Sequence, residues 1–145
     1  MKKISINQKF DLPVADVFEF LSKHASYNKV FWPIQVVRTK DSADPQRPDG
    51  VGSQRKMGVG AIKPITEQIT LLEENSAIEY QLINNPLIRH HLGRLEFKPL
   101  SEQSTLVNYT IELDGKLPLS SIIILSQLKL AITLGLAKVA KSLAK

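Results

Sequence analysis

From Ser53 to Leu113 the chain reads as five strand-like runs separated by turn residues at intervals of about ten, with no helix-period segment among them. Its last ~28 residues then switch to a helical repeat. Strands that follow one another without an intervening helix cannot build a parallel βαβ sheet, so the order argues for an antiparallel meander. A curved antiparallel sheet with one buried face needs a cover, and the C-terminal helix is the one segment long and apolar enough to supply it.

The individual elements follow from periodicity. Ile4, Ile6, Gln8 and Phe10 share one parity and Ser5, Asn7 and Lys9 the other, which predicts a first strand. Pro13 suits a helix's first turn, and Val14, Val17, Phe18 and Leu21 follow at helical spacing, predicting a short helix over 13–23. A second short helical piece runs from His24 and ends at or before Pro33, burying Phe31. Residues 34–40 are extended in character, and 41–52 form a loop rich in Asp, Pro and Gly. The later strands are expected at 53–59, 65–73, 77–84, 89–99 and 105–113. In the last segment, predicted as one helix over 119–143, Leu125, Leu128, Ile132, Leu136, Val139 and Leu143 fall on one face. Lys138, Lys141 and Lys145 lie opposite, in the last turns, where cations suit the helix dipole. Ile123, Leu130 and Leu134 project to the same outer side, so the first half of this helix is apolar nearly all round.

Composition narrows the function classes. A chain of 145 residues, 43% of them hydrophobic, is the size of one domain with a core of its own, assigned to 1–145. Without cysteine there are no disulfides, thiolate zinc sites or cysteine nucleophiles, which fits a reducing cytoplasm. No apolar h-region follows Lys2 and Lys3, so no secretory signal is read. Residues 117–136 approach the length of a membrane span, but Lys129 near their middle argues against one. The sequon at Asn108 lies inside a strand-like run with no export signal and is read as chance. The net charge of +5 is dispersed, with no basic stripe interleaved with aromatics, so nucleic acid is not an expected partner. Gly58-Val59-Gly60 lacks the third glycine of a dinucleotide fingerprint, and no phosphate loop or Gly-x-Ser-x-Gly elbow occurs. His90 and His91 are neighbours on a strand and point to opposite faces, so they do not form a metal pair, and neither metal nor cofactor is expected.

Several landmarks carry a resemblance that spans nearly the whole chain: Leu12-Pro13-Val14 with Asp16-Val17-Phe18, Gly50-Val51-Gly52, Glu67 before Ile69, and Gly93-Arg94-Leu95 through Pro99. With them the chain resembles the START/Bet v 1-like superfamily, and within it the bacterial polyketide cyclase/dehydrase-like branch. The resemblance implies an α+β helix-grip fold: a seven-stranded curved antiparallel sheet wrapped on a long C-terminal helix, with two short helices after the first strand. It also implies a cavity between sheet and helix for a hydrophobic or amphipathic small molecule such as a lipid, quinone or polyketide. The superfamily holds carriers, receptors and aromatase/cyclases, so the fold alone does not choose among them.

Strand parity selects the cavity candidates. Leu95 and Phe97 share a face with His91 and Gly93; Val107, Tyr109, Ile111 and Leu113 share another strand's inner face; Ile78, Tyr80 and Leu82 a third. Glu67 falls with Ile65, Ile69 and Leu71, a carboxylate on an apolar face; on the neighbouring strand Arg55 shares a face with Ser53 and Met57, and parity there does not decide whether that face is the inner one. A buried Glu67 needs a partner, and Arg55 is the expected one. Two roles stand side by side for Glu67: an ion pair that fixes the sheet, or a ligand-orienting or acid/base group. His91 is either a strand-end histidine bonded to a neighbour or the base of a cyclase/dehydratase-like enzyme. Tyr80 and Tyr109 either pack with satisfied hydroxyls or orient a ligand's polar end, and Trp32 lines the mouth or plugs the small helices. Leu95, Phe97, Ile111, Leu128 and Ile132 would form the apolar walls. Such an enzyme needs only one or two positioned groups, so missing motifs do not speak against it. A third reading is an interaction module whose cavity is filled by its own side chains. For Ile123, Leu130 and Leu134, contact with a peripheral membrane surface, a homodimer interface and ordinary packing within the chain are all open.

Overall fold

The computed structural model describes residues 2–116 and 120–144. The elements run β1 (Lys2–Phe10), α1 (Val14–Leu21), a single 3₁₀ turn at His24–Ser26, and α2 (Tyr27–Val30). Then come β2 (Gln35–Lys40), β3 (Gln54–Val59), β4 (Ile62–Glu73), β5 (Ala77–Ile83), β6 (Ile88–Ser101), β7 (Ser104–Gly115) and α3 (Ser120–Leu143). The seven strands form one sheet in the order β1-β7-β6-β5-β4-β3-β2, each pair antiparallel. From β2 to β7 every strand lies beside its successor, and only β1 enters out of sequence, against β7. The expected helix start at Leu119, and Lys145, lie outside the described residues.

One face of the sheet is covered and the other is wet, as the alternation requires. Along β7, Thr105, Val107, Tyr109, Ile111 and Leu113 are buried while their neighbours are half-exposed. Leu125, Ile132, Leu136 and Val139 of α3 pack into the resulting concavity with Leu128 and Leu143 partly buried beside them. The segment Ile122–Leu143 is long and apolar enough to cross a membrane by length and composition. Its inner face is nonetheless sheet-packed, the role of a core helix. Among the described residues nothing covers its outer face: Ile123, Leu130 and Leu134 are 58, 64 and 59% exposed, which argues against packing within the chain among the three openings for this stripe.

The short helices close one end. Val17, Phe18 and Leu21 bury the inner side of α1, and Phe18 meets Phe97 edge-on with ring centroids 5.2 Å apart. The Asn28 side chain ties α2 to β2 by accepting the Val36 N–H at 2.7 Å and donating to the Val36 carbonyl at 3.0 Å. The Tyr27 hydroxyl donates to the Leu21 carbonyl at 2.7 Å, and His24 Nε2 shares a hydrogen bond of 2.8 Å with Ser53 Oγ. The strand edges differ modestly from expectation: β4 begins at Ile62 because the turn at Gly60, with φ +60°, lets Val59 pair with Ile62 at once. β6 continues past Pro99 to Ser101, still paired with β7.

Two glycines are fixed by close approach. A Cβ on Gly135 of α3 would overlap the Val30 carbonyl of α2, so the two helices meet backbone to backbone. A Cβ on Gly93 would overlap the Tyr80 ring, which lies across β6 at the register Tyr80↔Gly93. The Val30 carbonyl is backbone and cannot swing aside, and the Tyr80 ring is held in place by its hydroxyl's bond to Tyr109. Gly93→Ala should therefore destabilise the protein by roughly 1–3 kcal/mol. Thermal melting checks this; an unchanged midpoint would show that Tyr80 can move aside.

Candidate functional site

Arg55 on β3 and Glu67 on β4 are direct cross-strand partners, and both point into the concave face. Arg55 Nε donates to Glu67 Oε1 at 2.9 Å, and Nη2 sits 2.8 Å from the same oxygen but out of hydrogen-bonding alignment. The pair is buried, at 1% and 5% exposure. Aromatic faces complete the guanidinium's surroundings, the Tyr27 ring centroid at 4.3 Å and that of Tyr80 at 4.8 Å. Burial pushes the Glu67 carboxyl above the usual carboxylate range, with Arg55 pulling the other way, and Glu67 in turn holds Arg55 charged against its own burial. The Tyr80 hydroxyl is hydrogen-bonded to that of Tyr109, and burial raises both phenols.

His91 sits where the sheet comes apart. Pairing of β5 with β6 stops at Tyr80↔Gly93, and beyond it the Leu82 N–H donates to His91 Nδ1 at 3.1 Å in place of a ladder bond. With Nδ1 accepting, the neutral ring carries its proton on Nε2. Burial, then the charges of His90 and Arg55, lower His91 to about 4.

Between these groups and α3 lies a cavity of about 90 Å³. Glu67, Tyr80, His91 and Ile111 border it from the sheet, and Leu128 and Ile132 from α3. The four remaining members of the sequence-derived set lie elsewhere. Arg55 stands behind Glu67, and Tyr109 behind Tyr80. Leu95 and Phe97 are not cavity walls: they belong to the closed core near α1, where Phe18 covers Phe97. Parity chooses a face but not a depth along a strand, and β6 is long enough to reach past the cavity. Phe31, Ile34, Met57 and Ala131 complete the lining. Sequence reasoning left these out of the site, although Met57 follows Arg55 at i+2 and Ala131 follows Leu128 at i+3. Trp32 neither lines this cavity nor plugs the helices, being 69% exposed.

Chemically the cavity offers one carboxylate, already paired, and one neutral imidazole. Glu67 is restrained by Arg55, so His91 is the freer proton carrier of the two. His24 and Ser53 form a second buried pair, but Asp49 accepts from the His24 backbone N–H at 2.9 Å and not from its ring. That arrangement clamps the 3₁₀ turn to β3 and lacks the ring-orienting carboxylate of a nucleophile system. Among the described residues, no group of three His, Asp or Glu side chains could hold a metal ion.

Two outcomes follow from the buried charges. Arg55→Met alone leaves Glu67 uncompensated and should cost about 3–5 kcal/mol, whereas Arg55→Met with Glu67→Leu should recover most of it, measured by chemical denaturation. His24 is also lowered to about 4, chiefly by burial. For both histidines the folded value lies below the ordinary 6.5, so their stability is full above that pH and drains as pH falls towards 4. Between pH 7.5 and 5 the loss is roughly 2 kcal/mol per histidine. Melting of His91→Gln should show a shallower fall over that range than the parent.

A family model described as polyketide cyclase / dehydrase and lipid transport matches residues 1–144. No curated protein sequence matches the chain. Solved structures share its fold at low identity. A START superfamily protein from Mycobacterium smegmatis is 17% identical with a TM-score of 0.76, covering 97% of this chain and 98% of that one. The Zhui aromatase/cyclase from Streptomyces sp. R1128 is 13% identical with a TM-score of 0.75, covering 99% and 96%. Norcoclaurine synthase from Thalictrum flavum is 13% identical with a TM-score of 0.68, also covering 99% and 96%. The seven-stranded sheet around a long C-terminal helix and the match over 1–144 agree, and the chain belongs to the polyketide cyclase / dehydrase and lipid transport family.

Proposed function

We propose that this chain is a cytoplasmic binder of a hydrophobic small molecule whose polar end is uncharged. The observation that carries the reading is the charge balance of the cavity. Its one ionised lining group, Glu67, is already neutralised by Arg55, while the other walls are apolar or aromatic and His91 is neutral at physiological pH. A carboxylate or ammonium entering there would lose its hydration with no free counter-charge to meet it, a cost of several kcal/mol. A hydroxyl or carbonyl loses far less. A carbonyl can accept from the His91 Nε2–H and a hydroxyl can donate to the second oxygen of Glu67, with Ile111, Leu128 and Ile132 holding the apolar body.

Cavity size supports a second reading. About 90 Å³ is well below the roughly 300–1,000 Å³ of sites that enclose drug-sized ligands. A larger guest requires α3 to shift, and a chain that never opens is an interaction module with a filled core. Native mass spectrometry of protein purified gently from its own cells, followed by denaturing extraction, separates the two. A stoichiometric neutral apolar molecule is expected, lost from Ile132→Lys and from Ala131→Phe, the latter variant guarding against simple misfolding. A protein that is empty in every preparation would favour the filled module, and a bound carboxylate would overturn the charge argument.

A further inference from the structure

We infer that the chain carries a second binding site, on its surface, for a single anionic amphiphile. A groove of about 350 Å³ runs between α2 and the C-terminal end of α3. It shares no lining residue with the cavity under α3. Phe20, Trp32, Val139 and Leu143 form its apolar walls, and Lys29 and Lys138 its charged rim, with no carboxylate among the residues that line it.

The contrast with the neighbouring surface groove decides the assignment. That groove, about 360 Å³, also gathers cations, but each is answered: Lys23 by Glu19, Arg38 by Asp49 and Arg47 by Glu74. Among the described residues neither Lys29 nor Lys138 pairs with a carboxylate. Two unanswered ammonium groups beside an apolar trough fit an acyl or aryl chain ending in a carboxylate, sulfate or phosphate. The chain replaces water on Trp32, Phe20, Val139 and Leu143, and the head group meets the lysines at the solvent edge. Trp32 is the single tryptophan of the sequence, so its emission reports this groove alone.

Dodecyl phosphate, held below its micelle concentration, is the probe. It should shift Trp32 emission to the blue with saturation, while inorganic phosphate should leave the emission unmoved. Lys29→Glu with Lys138→Glu should weaken binding about tenfold, and added salt should weaken it in the parent. Ala131→Phe, which fills the inner cavity, should leave this response intact, so loss of the cavity reading and loss of this one are distinguishable. An equal response to dodecyl maltoside, or no effect of the charge reversals, would overturn the anionic assignment. A shift with phosphatidylglycerol vesicles but none with the monomer would overturn the single-molecule seat and make the face a lipid-docking surface.

Discussion

A guanidinium taken out of water costs several kcal/mol unless its charge is met, and the charge of Arg55 is met from three directions even though its Nη2 finds no aligned acceptor. Glu67 supplies the opposite charge along the sheet, and Tyr27 and Tyr80 supply π-faces above it. Each partner fixes something further away. Tyr27 belongs to α2 and bonds the end of α1, so the ion pair locates the small helices. Tyr80 crosses the bare backbone of Gly93 to reach the Tyr109 hydroxyl on β7, so the same charge ties β3 to β7 across the concave face. The cavity is the space left over when this cluster occupies the middle of the sheet and α3 closes on it.

Much of this is legible in the amino-acid sequence. Parity placed Glu67, Tyr80 and Tyr109 on one buried face, and burial of Glu67 demanded a cation; Arg55, named for that role, is its direct register partner. The uncovered stripe of α3 was visible in Ile123, Leu130 and Leu134. What parity lacks is position along the strand. Leu95 and Phe97 share the face of His91, yet α1 closes their end of the sheet, a contact fixed by where Phe18 lands. The groove at Trp32 was equally out of reach, since it is lined by α2 and α3, whose backbones meet at Gly135. Close approach between elements distant in sequence leaves a glycine as its trace, and a lone glycine in a helix does not say what it admits.

The distribution of charge links the two sites. Inside, the buried charges of Arg55 and Glu67 cancel each other, because leaving one uncancelled would cost about 3–5 kcal/mol, a large part of the fold's margin of about 5–15 kcal/mol. Outside, cations are cheap, and several stay unpaired where water solvates them. A molecule with an apolar body therefore meets two environments on one chain: a dry one that rejects a charged end, and a wet one at Trp32 that attracts an anion. Because α3 forms a wall of both, with Leu128 and Ile132 in one and Val139 and Leu143 in the other, a shift of this helix large enough to admit a guest to the cavity would also reshape the groove. Gly135, midway between those two stretches, is where α2 rests on α3 without an intervening side chain, so the two walls are joined through one backbone contact.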